Sequence, residues 1–304
     1  MSDQPIDRST EVESVDDHPR ALGRLKRTVA RSPVVAFVLF AFGYTWAIDA
    51  IALLAFEGPS ELHSVPRAWG PLVAGGVVVW LLDEDVRSYV GQVKHVRVGI
   101  HWYAIGVAIP LLLTDSETLV ALAFGATIGF EPTAPLVLYL VNFLVVLFLA
   151  GGLEEFGWRG FAQPRLQEPH SAVVVAVLVG ILWASWHLPL FLLYDLPAYD
   201  PATLHSYYLT TILWAIVLAW LYNSTGGGLL VVIIAHAAGN LPPFLAVTGE
   251  TPELVATLPI RELTYLVVAL VIVGYAGPRT LSRDGELPPV AGRKSTDSDR
   301  SSSS

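Results

Sequence analysis

Glu154 and Glu155 stand side by side in the stretch LEEFGWRG, with Arg159 a few residues on, and their surroundings are apolar. His187 closes the stretch WASWH, and His236 and Asn240 open and close HAAGN. Carboxylates, imidazoles and a nearby amide are the groups that activate water, relay protons or ligate a metal. Their spacing divides the work. Glu155 and Arg159 are four apart with the acid first, the better orientation for an ion pair on one helix face. His236 and Asn240 are also four apart and share a face. Glu154 points about 100° away from Glu155 around a helix, so the two acids have different tasks: Glu155 pairs with Arg159, and Glu154 is left free for chemistry. The same groups also have plainer uses, as interfacial anchors or as polar contacts between helices.

The elements that carry these residues are membrane spans. The chain has 304 residues, is 53% hydrophobic and only 15% charged, and its apolar residues come in long runs rather than in alternation. Runs near the roughly 20 residues that cross a bilayer predict an all-α polytopic membrane protein with about eight transmembrane helices, over about 34–56, 68–82, 99–114, 134–156, 172–194, 205–222, 227–247 and 262–277. The stretch 118–130 reads as a separate interfacial or re-entrant piece. Residues 1–32 read as a polar cytoplasmic tail, 33–277 as one multi-span domain, and 278–304 as a disordered polar tail ending in serines. No cysteine is present, which excludes thiol catalysis, thiolate metal sites and disulfides.

Ionisable groups inside spans cost roughly 2.5–3.5 kcal/mol each on insertion scales, so they call for an explanation. The fourth and fifth spans are antiparallel neighbours joined near Glu168 to Ser171. Glu154 and His187 lie about 23–26 Å from that turn if the helices run through it, and His236 lies on the same side of its own turn. Three polar sites on three helices are thus expected in one layer, slightly cytoplasmic of the membrane midplane. Arg20, Arg24, Lys26, Arg27 and Arg31 precede the first span. By the positive-inside rule both termini are expected in the cytoplasm of a multi-pass protein of the cell membrane. Asp49 and Asn142 read as ordinary interfacial features or polar contacts between helices, and Trp183 and Trp186 as packing or interfacial aromatics.

EEFGWRG, WASWH and HAAGN together resemble the three motifs of the CPBP family of intramembrane proteases, also called Abi, which includes the CAAX prenyl endopeptidases. Glu154, Glu155 and Arg159 match the first motif. Trp183 and His187 match the second, with Trp where Phe is commoner, and His236 and Asn240 match the third. The resemblance covers about residues 130–247 and implies endopeptidase activity on membrane-associated peptides or proteins, with the lipid bilayer as the other partner and no nucleic acid. Under that reading Glu154 activates a water with help from His187. His236 and Asn240 face the oxyanion, and Glu155 and Arg159 support the arrangement. A metal version stays open, in which Glu154, His187 and His236 hold Zn²⁺ and water takes the fourth position. The rival classes are a proton- or ion-coupled carrier using the same acids and histidines as a relay, and a non-catalytic membrane scaffold or immunity protein.

Overall fold

A computed structural model describes residues 17–55, 61–196 and 199–293. The chain is an all-α polytopic membrane protein. In order, the helices are α1 Asp17–Arg31, α2 Pro33–Ala55, α3 Glu61–Ala68, α4 Gly70–Leu81, α5 Val86–Gly91, α6 Ile100–Thr114, α7 Ser116–Ala123, α8 Leu136–Phe148, α9 Gly151–Gly157, α10 Gln163–Gln167, α11 Ala172–Trp186, α12 Leu188–Leu193, α13 Leu204–Ser224, α14 Leu229–Gly239, α15 Glu253–Thr257 and α16 Ile260–Ala276. A π-helical turn, Trp158–Ala162, links α9 to α10. A small antiparallel sheet pairs β1 Ile128–Phe130 with β2 Leu245–Val247, Gly129 opposite Ala246. Along α8 the side chains of Val137, Leu138, Leu140 and Phe148 are all exposed, as expected of a helix whose solvent is lipid.

Each of the eight expected segments contains a helix, but they do not all qualify as spans. Among the described residues four helical stretches are long and apolar enough to cross a membrane: Pro33–Ala55, Leu136–Gln167, Ala172–Leu193 and Pro201–Ser224. A fifth counts if α6 and α7, bent 69° at Asp115, form one broken span. The others fall short for a physical reason. At 1.5 Å per residue α4 and α14 rise only about 16–18 Å and the 17-residue α16 about 26 Å, against a hydrocarbon core of about 30 Å. The expected span 227–247 stops at Gly239, and its last residues turn into β2. The stretch 118–130 is the end of α7 followed by β1.

The helices meet at two ends. At the first, the tail end, Lys26 pairs with Asp83 and Arg165 with Glu84. The α13–α14 turn lies there too, with Gly226 and Gly227 in the left-handed region at φ 59° and 91°, where a Cβ is penalised. At the opposite end, Asp115 Oδ1 accepts from the backbone N–H groups of Phe244 and Leu245, both at 3.0 Å, and Tyr139 donates its hydroxyl to the Pro243 carbonyl.

Two terminal segments differ from the expected tails. Residues 17–31 form α1, and residues 278–293 run across the tail end without regular structure. Ala172 N–H donates to the Arg279 carbonyl at 2.9 Å and Val173 N–H to that of Pro278 at 3.1 Å, satisfying N–H groups that a helix start leaves unpaired. Leu281 is fully buried, Asp85 N–H donates to the Gly292 carbonyl, and Arg293 pairs with Glu168. Polar composition suggested a free tail; backbone hydrogen bonds hold the described part instead. Residues 1–16 and 294–304 lie outside the described residues.

Close packing in lipid depends on small residues, since lipid tails are as apolar as leucine. A Cβ at Gly180 on α11 would come within 2.7 Å of the Ile212 Cα on α13, whereas one at Gly274 on α16 would meet open space. Gly180→Ala should therefore lower the thermal midpoint of the detergent-solubilised protein. Gly274→Ala should leave it unchanged or raise it, as alanine in a helix favours by about 0.4–1 kcal/mol. Equal midpoints for the two variants would contradict the proposed contact.

Candidate active site

The fourth span does not run straight through its acids. Helix α8 ends at Phe148, Ala150 takes a non-helical conformation at φ −126° and ψ −125°, and α9 restarts at Gly151. The break exposes the Leu149 carbonyl, which accepts a hydrogen bond from the Trp69 indole at 2.8 Å. Glu154 falls in the first turn of α9. The π turn then inserts extra residues around Arg159, a distortion often found at functional sites.

Glu154, Glu155 and Arg159 are all buried. Arg159 Nη1 lies 2.9 Å from Glu155 Oε2 and 3.1 Å from Oε1, which is the pair the spacing predicted. Glu155 has a second partner that the spacing did not reveal: His236 Nδ1, 2.5 Å from Oε1. One carboxylate thus ties the fourth span to α14. The room for this imidazole comes from Gly151, where a Cβ would sit 2.5 Å from His236 Nε2.

Trp183 occupies the centre of the cluster. Its indole N–H donates to Glu154 Oε2 at 2.7 Å. The Arg159 guanidinium lies over its ring, 4.5 Å from the centroid. Its ring centroid is 5.4 Å from that of His236 and 6.3 Å from that of His187. The Trp183 carbonyl is the partner of His187 Nδ1 at 2.9 Å. A carbonyl can only accept, so Nδ1 carries the hydrogen and Nε2 keeps its lone pair. Beyond His187, the Trp186 ring is edge-on to its imidazole at 4.7 Å and stacks with Arg67 at 4.6 Å. Arg67 is itself held by Asp49 at 3.0 Å.

Asn240 sits differently from its expected place beside His236. It follows the last residue of α14, and its Nδ2 donates to the His236 backbone carbonyl at 3.0 Å. Its own carbonyl accepts from Asn142 Nδ2 at 3.0 Å. Asn142 is thus the polar contact between helices expected of it, tying α8 to the end of α14. The depth also needs correcting. Asn142 lies about 9 Å along α8 from its outer start, and His187 is the residue that ends α11. The layer is thus in the half of the bundle away from the tail end, not slightly toward it.

A cavity of about 190 Å³ reaches this layer, walled by Trp183, His187, Tyr207, His236, Asn240 and Tyr265 among others. The two glutamates and Arg159 are not on its wall; Glu154 is joined to it through Trp183. Tyr207, whose ring lies 5.6 Å from that of His187, was not foreseen. It belongs to no motif, and a tyrosine in an apolar helix reads as packing.

The arrangement offers a buried carboxylate, two imidazoles with one nitrogen each anchored, and an amide at the rim. It does not offer a ready metal site. Among the described residues no group of three His, Asp or Glu side chains is gathered to hold one ion. As placed, Glu154, His187 and His236 do not fit the zinc set considered from the sequence.

Residues 136–242 match the family model described as type II CAAX prenyl endopeptidase Rce1-like. Over 142 residues the chain is 29% identical to a protein of Methanococcus maripaludis called CAAX prenyl protease 2, an alignment covering 44% of this chain and 52% of that protein. The chain thus spans about half the length of the curated relative it matches.

The Trp183 to Glu154 bond has a direct spectroscopic test. In protein labelled with nitrogen-15 on tryptophan, the Trp183 indole N–H resonance, identified by its loss in Trp183→Phe, should move upfield in Glu154→Ala. An unmoved resonance would show that the indole does not donate to Glu154.

Proposed function

We propose, from the match of residues 136–242 to the Rce1-like family model and the likeness to CAAX prenyl protease 2, that the chain is an intramembrane endopeptidase of the CPBP/CAAX protease family acting on membrane-associated peptides or proteins. The observation that carries the reading is the meeting of all three motifs around Trp183, with His187, His236 and Asn240 on the wall of one cavity.

Peptide hydrolysis needs an activated water, a partner for the oxyanion and a proton for the leaving amine. Glu154 is the general base. Trp183 holds its Oε2, which leaves Oε1 for the water, and His187 Nε2 has the lone pair to share that proton. The proton taken from water is then returned to the amine, as general acid–base catalysis requires. His236, with its Nδ1–H on the Glu155 carboxylate, donates from Nε2 as an imidazolium, and Asn240 has a second amide hydrogen beyond the one it gives the His236 carbonyl. Both suit a developing oxyanion. Glu155 and Arg159 position His236 and do not touch substrate. No step is routed through a metal, because the three candidate ligands are not gathered as a set.

Purified protein in lipid should cleave a single-span peptide, and Glu154→Gln should abolish cleavage while the protein stays folded, since the change removes a base and keeps the shape. Arg159→Ala should lower both activity and stability, the latter by about 3–5 kcal/mol, because Glu155 loses a buried partner. Full cleavage by Glu154→Gln would reject the assigned base.

The metal question is settled separately. Wild type, His187→Ala and His236→Ala should carry the same negligible zinc by elemental analysis, and wild-type cleavage should survive a strong chelator. His236→Ala should slow the chemical step roughly 10²–10³-fold, as for one lost oxyanion donor. Stoichiometric zinc in wild type alone, with chelator-sensitive and zinc-restorable cleavage, would overturn the direct-water route.

A further inference from the structure

The cavity belongs to one end of the bundle only. Pro110 is in the last turn and a half of α6, Asn240 follows the last residue of α14, and Tyr207 and Thr210 are in the first two turns of α13. Tyr265 is in the second turn of α16. Their neighbours fix the same end. Asp115 caps Phe244 and Leu245, Ser206 bonds to Glu262, and Arg261 lies 3.5 Å from Glu117. The other end is closed off differently. There residues 278–293 cross the starts and ends of α11, α13 and α5. The cavity of about 380 Å³ between Gln92, Tyr222 and Val290 at that end contains none of the six motif residues.

Basic side chains divide unequally between the ends. Arg24, Lys26, Arg31, Lys94, Arg165 and Arg283 are all at the tail end. Among the described residues the cavity end has Arg67, buried against Asp49, and Arg261. Arginine and lysine near the ends of spans mark the cytoplasmic side, and acidic residues contribute little to that choice. We infer that the cavity opens on the extracytoplasmic face, so that the substrate is a membrane-inserted polypeptide whose scissile bond is presented from outside. The sidedness stands on geometry and charge; the substrate rests on the peptidase reading. A substrate held on the cytoplasmic leaflet would meet the end covered by residues 278–293.

The natural absence of cysteine makes the test clean. Single cysteines are placed in the cavity wall at Thr210→Cys and, separately, Tyr199→Cys, with Asp83→Cys as the tail-end reference. Each variant is exposed to a membrane-impermeant maleimide in intact cells and in sealed inverted vesicles. The expected result is labelling of at least one cavity cysteine in intact cells and of Asp83→Cys only in inverted vesicles. Cavity cysteines that react only in inverted vesicles, or that react from neither side, overturn the inference. Two single-span reporters, with the same cleavable segment just outside or just inside the membrane, then test the substrate. Cleavage of the outer reporter supports it, and cleavage of the inner one alone overturns it. Labelling as expected with neither reporter cut upholds the sidedness and counts against the peptidase reading.

Discussion

A carboxylate enclosed in an apolar bundle persists as an anion only where cations or donors meet it, and Glu155 is met by two. Arg159 reaches it from one turn further along the same span, and His236 reaches it from α14. The pairing makes each partner's position depend on the others. Loss of Arg159 would leave an acid without its cation, and loss of Glu155 would strand a buried guanidinium. Such arrangements contribute little net stability, because desolvation cancels much of the attraction. What Glu155 does is fix register: the imidazole can sit only where the carboxylate is, and Gly151 leaves the space for it.

Trp183 carries that register to the fifth span. The guanidinium fixed by Glu155 lies on its ring, so the indole plane is set, and with the plane the direction of its N–H toward Glu154. The backbone carbonyl of the same residue orients His187. A phenylalanine here could fill the volume and face the guanidinium, but it has no N–H to offer a carboxylate. The indole of Trp183 thus adds a hydrogen bond to a contact that a phenylalanine would make by shape alone. The ion pair of Asp49 and Arg67 buttresses the outer side through Trp186, so His187 stands between two tryptophans, each backed by an arginine.

Much of this was legible in the residues. Long apolar runs gave the starts of the eight expected helices to within a few residues, because in lipid the backbone has no other way to satisfy its own groups. The four-residue spacing of Glu155 and Arg159 gave their pair, because that contact is local. The contacts that spacing could not supply are those between helices. His236 on Glu155, Trp183 on Glu154 and Asn142 on the Asn240 carbonyl join residues far apart in sequence, and no periodicity encodes which faces meet. The interruption at Ala150 was hidden for another reason. Apolar composition continues across it, and the cost of the broken ladder is met from outside by Trp69. The end of α14 was missed likewise, since LPPFLAV is as apolar as the helix before it, although its two prolines mark a stop.

The short helices follow from where the chemistry lies. A helix that ends inside the bundle leaves carbonyls without intrahelical partners, and α11 and α14 both end at the layer of the candidate site. Asn240 takes one such carbonyl, that of His236, and His187 takes another, that of Trp183. The candidate catalytic residues therefore double as caps. A longer, regular α14 would satisfy its backbone unaided and would also fill the space through which the cavity reaches His236. The same ending turns the chain into β2, whose pairing with β1 and capping by Asp115 hold the surrounding loops at the rim. Incomplete spans are thus the condition for an open polar site within a bundle whose remaining surface faces lipid.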